Sequence, residues 1–83
     1  MELKEIVEFM LSDKYEDRLI AEYQQLDIRI EKLADFLEKY RDGELDFKPA
    51  CDYDILHSQL TFMKAYQYYL GLRADIEDID VDV

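Results

Sequence analysis

Arg29, Lys32 and Phe36 follow one another at steps of three and four residues. On a helix that spacing sets two cations and an aromatic ring along one strip. A guanidinium and an ammonium beside a ring suit a phosphate-bearing ligand with a base to stack. Arg18, Glu22, Gln25 and Lys39 extend the strip, so it holds four bases against one acid. The chain as a whole is strongly acidic, with 21 acidic and 10 basic residues and a net charge of −11. A cationic strip therefore stands out against its background. The plain alternative is that these bases pair with acids of a neighbouring subunit, as coiled-coil flanks do.

A second set lies further on. Gln59, Tyr66 and Arg73 share a face at a seven-residue spacing, and an arginine buried there would need a partner. Together the two sets describe a pocket between subunits. Arg29, Lys32 and Arg73 would hold phosphate, Tyr66 or Phe36 would stack on a base, and Gln59 would read its edge.

Catalytic chemistry finds little footing, and no enzyme and no cofactor are expected. His57 is the only histidine, with Ser58 and Gln59 beside it rather than a carboxylate. Cys51 is the only cysteine, which rules out an intrachain disulfide and leaves no Cys/His zinc spacing. Asp78, Asp80 and Asp82 imitate the opening of a calcium loop but lack its later glycine and glutamate. The only glycines, Gly43 and Gly71, form no phosphate loop.

The net charge repels nucleic acid and anionic membranes at long range and suits a basic partner. Asp27, Glu31 and Asp35 repeat at i, i+4, i+8 on the side opposite the cations, a spacing of like charges that costs a helix some stability. Such a row is ordinarily a solvated face. A functional reading would have it imitate a nucleic-acid backbone, making the protein an acidic inhibitor of a basic host defence protein.

The elements that must carry these residues are well marked. Leu19, Tyr23, Leu26, Ile30, Leu33, Leu37 and Tyr40 fall at steps of 4, 3, 4, 3, 4, 3, the seam of a long helix packed lengthwise on another. The chain divides into a short helix (1–11), a long helix (13–41), a connection (42–52), a second long helix (53–75) and an acidic tail (76–83). Asp13 and Glu16 have capping-box spacing, and Gly43 is placed to stop the long helix. The tail alternates apolar and acidic residues from Ile79, with no strand to pair, and is expected to fray or to lie on a neighbour.

The second long helix carries two stripes. Tyr53, Leu56, Leu60, Met63, Leu70 and Ala74 form one, and Ile55, Phe62, Tyr66, Tyr69 and Ile76 the other. Residues 53–70 contain only Asp54 and Lys64 as charges. Two apolar stripes need two neighbours, so the second, through Ile55, Phe62, Tyr69 and Ile76, is expected to meet another copy. A chain of 83 residues without disulfide or metal also gains from oligomerisation. The expected fold is an all-α antiparallel hairpin with a short N-terminal helix, assembled as a helical-bundle homo-oligomer. With no apolar run near 18 residues, a cytoplasmic location is expected.

Residues 11–33, together with Gln59-Leu-x-x-Met-x-x-Tyr66 and Leu72-Arg-Ala-x-Ile-Glu77, resemble a family of small bacteriophage proteins related to a crAss-like-phage gene product. The resemblance runs from about Leu11 to Ile79. It departs at Asp52, where the family pattern has proline. It implies a helical hairpin and carries no activity of its own. In form it is similar to oligomeric phage anti-defence proteins that sequester cyclic-nucleotide immune signals. The expectation is therefore a non-enzymatic protein of the host bacterial cytoplasm that sequesters a nucleotide-type signal. The alternatives are the acidic inhibitor or a phage structural accessory.

Overall fold

The computed structural model describes residues 2–82. Met1 and Val83, included in the expected short helix and tail, lie outside the described residues. The chain forms α1 (Leu3–Met10), α2 (Tyr15–Arg41) and α3 (Tyr53–Ile76), and there is no strand among the described residues.

α2 and α3 form an antiparallel hairpin, as their side-chain pairs show. Tyr40 meets Tyr53 near the connection, Asp27 meets Gln67 midway, and Tyr15 meets Arg73 at the far end. The seam does the packing. Leu19, Leu26, Ile30 and Leu37 of α2 are buried with Leu60, Leu70 and Ala74 of α3 in one cluster. Each end of the hairpin is cut by local chemistry. Asp52 caps α3 by accepting from the Ile55 N–H at 3.0 Å, so the position that departs from proline starts the helix through its side chain. Gly43, at φ 70°, closes α2 in a Schellman turn: its N–H donates to Tyr40 and that of Glu44 to Lys39.

Three details differ from the sequence expectation. The Asp13–Glu16 capping box does not form; Lys14 is the cap residue and makes no side-chain cap bond. Ser12 organises the bend instead. Its hydroxyl donates to Asp17 at 2.8 Å and accepts from the Lys14 N–H, while its carbonyl accepts from Arg18.

The tail, second, does not fray. Asp78 takes a left-handed φ of 58°, and the Asp78 and Ile79 N–H groups donate to Asp75 and Ala74, a second Schellman turn. The chain is thereby turned back along its own hairpin. Val81 is buried and Ile79 packs on the core, and Gln24 donates to the Val81 carbonyl. A tail that can bury Ile79 and Val81 gains more from covering its own core than from remaining in water.

Third, α2 has a buried side away from α3. Ala21 is fully buried although it lies opposite the seam on a helical wheel. Among the described residues α1 is the other helix packed on α2, and it brings a fully buried Ile6. α1 leaves Leu3, Val7 and Met10 half exposed, so Ile6 anchors it, with Phe9 partly buried against the core.

Gly71 lies inside α3, where glycine costs about 1 kcal/mol relative to alanine. A methyl group there would meet only the Tyr23 ring, at an ordinary 3.8 Å. Gly71→Ala is therefore expected to stabilise the fold by about 1 kcal/mol, read as a higher midpoint in urea. A lowered midpoint would show that the Tyr23 ring cannot accommodate the methyl.

Candidate functional site

Arg29 and Phe36 lie on one flank of the α2 seam, because 100° per residue turns them off the Leu26–Ile30 line to the same side. Lys32 stands further round, at the outer edge. Gln59 and Met63 of α3 face them. These five residues and Leu33 line an open groove of about 450 Å³, within the size range of small-molecule sites. Leu33 and Met63 form its apolar floor. The heptad count assigned both to the seam, and a seam residue at the edge of a hairpin also floors the adjoining groove.

The polar groups of this groove are uncommitted. Among the described residues the ion pairs are Arg41–Asp42 and Arg73–Glu77, so Arg29 and Lys32 have no carboxylate within ion-pair range. The Gln59 amide makes only a 3.9 Å contact to the Met63 sulfur. Phe36 is held by its neighbours, edge-on to Tyr40 at 6.2 Å and tilted against Phe47 at 6.3 Å. Phe47 comes from the connection, which thus supports the ring from the hairpin end.

Tyr66 and Arg73 stand elsewhere on the same flank. Arg73 is fourteen residues beyond Gln59 on α3, about 21 Å at 1.5 Å per residue. Its guanidinium donates to the Tyr15 hydroxyl and lies 3.9 Å from Glu77, and the Tyr15 hydroxyl donates to Glu77 at 3.2 Å. The bond to Tyr15, helped by Glu77 and Glu22, holds Arg73 above the usual guanidinium range. Tyr66 donates to Glu22, and that bond holds its phenol above the usual range. Within one chain the predicted residues therefore form two clusters: Arg29, Lys32, Phe36 and Gln59 in the groove, Tyr66 and Arg73 at a distance.

The apolar stripe beside both clusters is uncovered. Ile55 and Tyr69 are about three-fifths exposed, Phe62 is 75 % exposed and Ile76 is 83 % exposed. On the other side of α2 the acidic row is thinned, because Asp27 accepts from Gln67 at 2.9 Å. Glu31 and Asp35 remain exposed. His57 stacks on Tyr53 at 5.8 Å and is exposed, as is Cys51. No helix among the described residues is long and apolar enough to cross a membrane.

These features define a small all-α hairpin protein bearing an open, cation-flanked and aromatic-edged groove. The chain belongs to the Sequestin family, whose model matches residues 13–76. α1 and the folded-back tail lie outside the match. No curated protein and no solved structure matches the chain.

Proposed function

We propose that this protein is a non-enzymatic, phage-type anti-defence protein that binds and sequesters a nucleotide immune signal in the host bacterial cytoplasm. The observation that carries this reading is the groove, where two unpaired cations, a free amide and a supported phenyl ring stand around an apolar floor. Phosphate suits Arg29 and Lys32, a base suits the Phe36 face, and the base edge suits Gln59. The family name, Sequestin, fits a protein that works by holding its ligand. An open groove holds a ligand weakly by itself, and a second copy on the exposed α3 stripe would close it. The acidic-inhibitor reading is less well supported, since Gln67 already occupies Asp27.

The test is calorimetric titration with a panel of cyclic mono- and dinucleotides, followed by denaturation and analysis of the released ligand. Tight binding with the nucleotide recovered unchanged is expected. Arg29→Ala should weaken binding about 10- to 100-fold, the value of one lost hydrogen-bonded charge, with helicity retained. No heat from any nucleotide would sink the reading, and recovery of a converted product would sink its non-enzymatic part.

A further inference from the structure

The exposed stripe of α3 reads nearly the same in both directions. Its members are Ile55, Gln59, Phe62, Tyr66, Tyr69, Arg73 and Ile76, spaced 4, 3, 4, 3, 4, 3 about Tyr66. We propose that two copies pair antiparallel through this stripe around a two-fold axis at Tyr66, and that each copy thereby delivers Arg73 to the other's groove.

The register follows from the order of residues. Antiparallel pairing about Tyr66 sets Ile55 against Ile76 of the second copy, Phe62 against Tyr69 and Gln59 against Arg73. Two-fold symmetry repeats each contact, as an isologous interface requires. Apolar residues meet apolar ones, and the one cation meets a neutral amide. Parallel pairing would instead oppose Arg73 to Arg73, a like-charge contact that costs an interface several kcal/mol. The three-four spacing is that of helices packed lengthwise at 8–10 Å.

The stripe is also large enough to matter. It runs about 32 Å along α3 at 1.5 Å per residue. At their observed exposures, Phe62, Tyr66 and Tyr69 alone offer roughly 300–450 Å², about half of the ~800 Å² each partner gives to a stable interface. It is continuous with the groove, because Gln59 belongs to both. Arg73 has a half-exposed side chain and can reach outward. Its separation from Arg29 within one chain thus becomes proximity between chains. The delivery of Arg73 rests on the nucleotide reading; the register does not.

The test uses the full chain with Cys51→Ser and a bismaleimide spanning about 10 Å, matched to packed helices. Tyr66→Cys should crosslink to a species of doubled mass. Ile55→Cys and Ile76→Cys should crosslink when mixed and not when alone. Crosslinking of Ile55→Cys or Ile76→Cys with itself would establish a parallel pair and overturn the register. No crosslink at any site, with helicity intact by circular dichroism, would overturn the pairing itself.

For the shared site, Arg29→Ala and Arg73→Ala chains are each expected to lose tight nucleotide binding. An equal mixture should recover about a quarter of the sites, because half the pairs are mixed and each holds one intact groove. No recovery on mixing, with wild-type binding present, would overturn delivery across the axis. Absent wild-type binding would defeat the nucleotide reading, and with it the delivery of Arg73, while the crosslinks still decide the register.

Discussion

Leu70→Ala is expected to lower stability by about 3 kcal/mol and the melting temperature by 12–24 °C or so. Leu70 is 1 % exposed in the cluster that joins the two halves of the hairpin. Truncation removes its transfer free energy and leaves a cavity that rigid neighbours cannot fill. A domain of this size holds on the order of 4–12 kcal/mol in total, so the variant should lose roughly a quarter to three quarters of its stability. Circular dichroism melting checks this directly. A shift below about 4 °C, or roughly 1 kcal/mol, would mean that α3 repacks through its exposed stripe, and the assigned core would be wrong.

Removal of residues 79–83 should cost about 2–4 kcal/mol, seen as a lower urea midpoint. Val81 is buried and Ile79 partly so, and burial of one such side chain is worth about 1.5–3 kcal/mol. The truncation also removes the Gln24 bond to Val81 and the turn that ends α3. A frayed tail would be lost at no cost. An unchanged midpoint would therefore restore the fraying expectation and contradict the folded-back strap.

The hairpin was legible because its seam is periodic. Leu19, Leu26, Ile30 and Leu37 announce their common face by spacing alone, and all four are buried. Ala21 and Ile6 are buried as well. Leu3, Ile6, Val7 and Met10 have the helical spacing that marks α1, but neither that face nor a single small Ala21 says which side of α2 is covered. Ile79 and Val81 likewise carry no sign of what they cover. At the bend, Asp13 and Glu16 had the right spacing for a cap, and the Ser12 hydroxyl took the role through Asp17 and Lys14.

The candidate site was legible in one dimension only. A heptad count sorts residues by angle, and it set Arg29, Lys32 and Phe36 on one flank, where the groove is. It does not resolve height along the axis. Arg73 was grouped with Arg29 as a pocket between subunits, and within one chain Tyr15 and Glu77 hold it at the far end of the hairpin. The unpaired state of Arg29 and Lys32 depends on where every carboxylate points, and no spacing encodes that.

The way α1 and the tail both lie on the N-terminal part of α2 divides the molecule into two unequal parts. Ala21 and Ile20 are buried there, Gln24 holds Val81, and Ile6 anchors α1. Towards the connection the same helix is covered by α3 and by Phe47 of the connection, which packs on Phe36 and remains largely exposed. Local opening costs least where few apolar contacts must break. The well-clad end is then expected to be the slow-exchanging unit. Arg29, Lys32, Phe36 and Gln59 occupy the thinner end, whose backbone amides are expected to exchange faster than those around Leu19 and Ala21 in a hydrogen-exchange measurement.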